Sequence, residues 1–75
     1  MTKKTIAELR RAKGVTQSVV ARRVGRELTT IRNWEKGRNL VKVVDAERIC
    51  KVLGCNIEDI DWTREYYKKH RAKKV

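Results

Sequence analysis

Residues 17–37 read QSVVARRVGRELTTIRNWEKG, and the spacing inside this stretch decides the fold. Val20, Ala21 and Val24 share one face of a helix from Gln17 to about Val24. Thr16 stands at its start as a cap and Gly25 at its end as a left-handed terminator. A second helix runs from near Leu28 to near Lys36. At about 100° per residue from Leu28, the residues Leu28, Arg32, Lys36, Thr29 and Asn33 fall within roughly 0–140°. Ile31 and Trp34 fall at roughly 240–300°, on the opposite side. The spacing therefore predicts a short helix anchored by Ile31 and Trp34, with its hydrogen-bonding side chains turned outward.

The flanking sequence supplies the other helices. Thr5 and Glu8 form a capping box ahead of Ile6 and Leu9, and Gly14 closes that first helix. A fourth helix covers roughly Val43 to Leu53, with Val43, Ala46, Ile49, Cys50 and Leu53 on one arc. Asn56 caps a short fifth helix through Ile60. Each of the four glycines follows a stretch of helical periodicity, proline is absent, and no strand alternation is visible. The prediction is an all-α, compact five-helix domain over residues 1–61, with an aromatic and basic C-terminal extension over residues 62–75. Within it, segment 61–67 either prolongs the fifth helix or forms a separate turn, and the basic tail 68–75 is expected to fray.

With 75 residues the chain makes one small domain with a modest core. Its 20 Lys and Arg against 9 Asp and Glu give a formal charge of +11. Such a balance points to phosphate polymers, and more weakly to an anionic membrane surface. No apolar run reaches the roughly 18 residues that a membrane span needs. Lys3 and Lys4 have no apolar block behind them, so no export signal is read and a cytoplasmic location is expected. Cys50 and Cys55 are expected to be reduced core thiols. His70 is the single histidine and sits far from both, so no metal site, cofactor or small-molecule substrate is expected. The chain has no paired acids beside a nucleophile, so no enzymatic activity is expected either.

The outward face of the 28–36 helix carries Leu28, Thr29, Arg32 and Asn33. Arg bonds a guanine edge with two hydrogen bonds, Asn does the same to adenine, and Leu28 and Thr29 suit a thymine methyl. The competing reading is a solvated polar face. Arg22, Arg23, Arg26, Lys36 and Arg38 surround the same unit, and basic side chains so placed grip phosphates more often than bases.

At this point a family likeness is visible. Ile6, Leu9, Arg10, Gly14, Thr16-Gln17, Val20-Ala21, Val24-Gly25, Thr30-Ile31, Trp34-Glu35, Gly37, Ile49, Leu53-Gly54 and Ile57 together resemble the lambda-repressor and Cro-like (XRE-type) helix-turn-helix domain. The resemblance covers segment 6–60 and implies a helix-turn-helix made by the second and third helices. It implies base reading by Leu28, Thr29, Arg32 and Asn33. It also implies phosphate contact by Gln17 and a partly buried ion pair between Arg10 and Glu35; the clustered cations of Arg22, Arg26, Lys36 and Arg38 are read, from their charge, as further phosphate grips. The chain departs from the family pattern at Val19, Glu27 and Leu28, and lacks a proline before the fourth helix.

The implied function is a sequence-specific DNA-binding transcriptional regulator, a small repressor of the phage or mobile-element kind. Its partner would be double-stranded DNA carrying a palindromic operator, bound as a homodimer. Val41, Val44, Val52 and Trp62 lie off the core arc and are the expected dimer face. The alternative is an antitoxin or adaptor that uses Trp62, Tyr66, Tyr67, Arg64, Lys68, Lys69 and Arg71 to bind a protein partner.

Overall fold

The structure, a computed structural model, describes residues 3–70. It contains five α-helices: α1 (Ile6–Ala12), α2 (Gln17–Val24), α3 (Leu28–Glu35), α4 (Val43–Leu53) and α5 (Arg64–His70). A single 3-10 turn, Ile57–Asp59, separates α4 from α5. Among the described residues there is no strand; Lys4 and Ile60 form an isolated parallel bridge. No helix among them is long and apolar enough to cross a membrane.

Local chemistry sets the helix starts. The Thr5 hydroxyl accepts from the Glu8 N–H at 3.2 Å while Glu8 accepts from the Thr5 N–H at 2.9 Å. Thr16 accepts from the Val19 N–H at 3.2 Å and so opens α2. Glu27 and Lys42, at the starts of α3 and α4, make no side-chain cap bond. Those two helices owe their stability to packing rather than to capping. α2 and α3 pack on each other, and α2 packs on α4. Ile6, Val20, Ala21, Val24, Ile31, Trp34, Ile49, Cys50, Leu53 and Ile60 form one core, with Leu9, Val15, Val41, Val52, Cys55 and Trp62 against its edge.

Three expectations need correction. The fifth α-helix is not the segment before Ile60. Asn56 and Asp59 do form a capping box there, but the turn lasts only three residues, because Ile60 goes extended and pairs with Lys4. The fifth helix starts instead at Arg64, where the Asp61 carboxylate accepts from the Arg64 N–H at 3.0 Å. The extension thus begins with a helix; its last residues, 71–75, lie outside the described residues.

The second correction concerns the first turn of α4, where Asp45 and not Val43 faces inward. Val43 is 71% exposed, while Asp45 is buried. The third follows from the same packing. Val41, Val52 and Trp62 rest against the core, and Trp62 donates its indole N–H to the Ile57 carbonyl at 2.9 Å. Of the expected dimer face only Val44 is open, at 58% exposed.

Gly37 fixes α5 to the rest of the domain. Its φ is +78°, and a Cβ there would collide with the Glu65 carbonyl and lie 2.8 Å from the Tyr66 nitrogen. Gly25 has a similar φ of +84° but open space around it. Gly25→Ala should therefore cost only the left-handed backbone term, about 1–2 kcal/mol. Gly37→Ala should add an overpacking cost of about 1–3 kcal/mol. Urea denaturation of the two variants side by side measures that difference, and equal losses would mean that α5 is not seated on Gly37.

Cys50 is buried in the last turn of α4, and Cys55 follows the Gly54 terminator, with its N–H on the Cys50 carbonyl at 3.0 Å. Burial, helped by a hydrogen bond with Cys55, pushes the Cys50 thiol from 9.0 up to about 12. The folded chain therefore holds a proton that the unfolded chain sheds. Stability from this group is complete below about pH 9 and is lost as the pH rises toward about 12. Urea unfolding at roughly pH 8 and pH 10 should show a steeper loss for the parent chain than for Cys50→Ala.

Candidate nucleic-acid interface

The candidate interface lies on α3, and α3 is held from both ends. At its C-terminal end, Glu35 accepts from Arg10 Nε at 2.7 Å and from Arg10 Nη2 at 3.1 Å. Arg10 donates its remaining Nη1 to the Val15 carbonyl at 2.9 Å. The Arg10 and Glu35 side chains are only 11% and 5% exposed, so this charge pair is largely removed from water. Glu35 also accepts from Gln17 Nε2 at 2.8 Å. One carboxylate therefore joins α1, the start of α2 and the end of α3.

On the other side, Arg26, in the turn between α2 and α3, reaches Asp45 in α4. Its Nε lies 3.0 Å from Oδ1 and its Nη2 3.0 Å from Oδ2. Hydrogen bonding to Asp45, then the attraction of its charge, raises the Arg26 pKa further above its ordinary range. Asp45 is buried, and the fork occupies both of its oxygens. This buried acid escaped the sequence reading. Its signal is an acidic residue four positions before Ile49, on the core-facing stripe of α4, where an apolar residue is the norm.

Between these two clamps Ile31 is fully buried and Trp34 nearly so. Thr29 and Arg32 are exposed, and Leu28 and Asn33 are half-buried. The Asn33 side-chain Oδ1 accepts from Arg38 Nη1 at 3.3 Å. Arg22, Arg23, Lys36 and Arg38 are exposed around α2 and α3. Arg26 is also exposed, yet two of its three guanidinium nitrogens already serve Asp45. Gln17 is half-buried and tied to Glu35, which orients its amide at the start of α2. Among the described residues, no group of three or more His, Cys, Asp or Glu could hold a metal ion.

The model of the family described as "Helix-turn-helix domain" matches residues 4–62, more than three quarters of the chain. The chain belongs to the helix-turn-helix domain family. No curated protein matches it. A helix-turn-helix domain is, in general terms, a DNA-binding regulatory module. In this one, the matched segment ends at Trp62, two residues before α5. It contains both clamps and the whole of α3.

Proposed function

We propose that this helix-turn-helix domain is a sequence-specific transcriptional regulator that acts by binding alone. It is a small repressor of the phage or mobile-element kind, working in the cytoplasm. Helix α3 enters the major groove, with Thr29, Arg32 and Asn33 at base edges and Leu28 beside a thymine methyl. The Gln17 amide and the cations of Arg22, Lys36 and Arg38 meet phosphates. Bound over a promoter, the domain excludes polymerase. One observation carries this reading: α3 is buried through Ile31 and Trp34, so Thr29 and Arg32 are left exposed on a helix that cannot turn away.

Two copies on a palindromic operator complete the proposal. Leu40, just before α4, and Val43 and Val44, its first two residues, are 44%, 71% and 58% exposed. They are the better candidate for the contact between copies than the Val41, Val52 and Trp62 set, which is spent on the core.

Selection of bound fragments from a random duplex library tests the reading. A two-fold motif is expected. Arg32→Ala and Asn33→Ala should each lose about 1–3 kcal/mol of discrimination at one base pair of each half-site. Equal affinity for every duplex, unchanged by either substitution, would end the proposal.

A further inference from the structure

Beside α3, an open groove of about 510 Å³ runs between the helix-turn-helix unit, the start of α4 and α5. Trp34 and Tyr66 line it from α3 and α5, and Arg38 and Lys42 from the connection into α4. Arg26 and Asp45 also line it, but they neutralise each other through the double hydrogen bond. The charge left in the groove is that of Arg38 and Lys42.

Two cations beside the half-buried Tyr66, with Trp34 contributing only its 8% of exposed surface, describe a narrow ligand class. Arg forks onto phosphate oxygens and Lys adds a mobile point charge. Aromatic side chains favour a flat ring. The volume is that of a small-molecule site. We propose that this groove binds a free nucleotide-like ligand, one phosphate joined to a flat ring, and that its occupancy is coupled to DNA binding through Arg38. Arg38 is also one of the cations proposed above to meet DNA phosphate, and a guanidinium turned to the ligand is withdrawn from that contact. Ligand and specific DNA then weaken each other by one common factor, because coupling between two sites is reciprocal. Binding to the groove stands without the DNA reading; the coupling rests on it.

The test is a nuclear magnetic resonance titration of the whole chain, without DNA and at fixed ionic strength. The probes are adenosine monophosphate, adenosine and inorganic phosphate. Saturable shifts centred on the Trp34 indole and the Tyr66 ring are expected with the monophosphate. Adenosine and phosphate should bind at least about tenfold more weakly, since each lacks half of the recognised group. The double variant Arg38→Gln/Lys42→Gln should weaken the monophosphate by a similar factor. Arg22→Gln/Arg23→Gln, which removes equal charge elsewhere, should leave it unchanged. Three results would each overturn the site: no saturation, shifts spread evenly over Arg22 and Arg23, or phosphate binding as tightly as the monophosphate. The last would reduce the groove to a backbone-phosphate rest. A second titration, with the selected duplex present, reads the coupling. Unchanged nucleotide affinity there removes the coupling and leaves the site standing, whereas absence of any preferred duplex removes the DNA reading and the coupling with it, again leaving the site standing.

Discussion

Glu35→Ala should lower stability by about 3–5 kcal/mol, the usual cost of removing one partner from a buried charge pair. The substitution strips the acceptor from two Arg10 bonds and one Gln17 bond at once. Arg10 keeps only the Val15 carbonyl, in a place where its side chain is 11% exposed. A chain of this size holds roughly 4–11 kcal/mol in total, so much of the folded state is at stake. Urea unfolding measures the loss, and a change below about 1 kcal/mol would mean that the ion pair does not hold α3 to α1. The paired replacement Arg10→Met/Glu35→Leu should recover most of the stability, since two apolar groups leave no stranded charge. It should not recover DNA affinity, because Gln17 still lacks the carboxylate that orients its amide. That split between folding and binding separates the two jobs of one residue.

Much of this architecture was legible in the sequence because the relevant forces are local. The Thr5 and Glu8 box, the Thr16 cap and the four left-handed glycines act within a few residues, and each is found where the spacing put it. The inward position of Ile31 and Trp34 is also local, since it needs only the helical period. What was not legible depends on partners far along the chain. The burial of Asp45 in place of Val43 goes with the Arg26 fork on it, across 19 positions. The end of the turn after Asn56 follows from Ile60 meeting Lys4, and the seat of α5 from a backbone approach to Gly37. Arg64 adds to that seat by donating to Glu8 at 2.6 Å, across 56 positions. The backbone bond from Thr5, then that from Arg64, holds the Glu8 carboxyl below its ordinary range. At the candidate interface, the helical period identified Thr29 and Arg32 as exposed, but not the half-burial of Leu28 and Asn33 or the internal bonds that occupy Arg26, Gln17 and Asn33.

Arg26 is where the two kinds of information meet, and an asymmetric pair of variants resolves its role. Its side chain is 47% exposed whereas that of Asp45 is 4% exposed. Asp45→Ala frees a guanidinium that can swing into water, so the expected loss is about 1.5–3 kcal/mol, the worth of hydrogen bonds to a charged group, discounted toward its lower end for that exposure. Arg26→Ala instead strands a buried carboxylate, and the expected loss is about 3–5 kcal/mol. Arg26→Ala/Asp45→Asn should recover part of it by removing the stranded charge. Equal losses from the two single variants in urea unfolding would contradict this asymmetry. Binding then decides whether Arg26 also grips phosphate. A phosphate-gripping cation lowers the slope of log affinity against log salt by about 1 when it is removed. Arg22→Ala should show that change in titrations against random duplex. Arg26→Ala, measured under conditions where the variant is folded, should show much less, because two of its guanidinium nitrogens already face a carboxylate inside the protein. A full unit of slope from Arg26 would place it among the phosphate grips after all, and would require the Asp45 fork to open when DNA arrives.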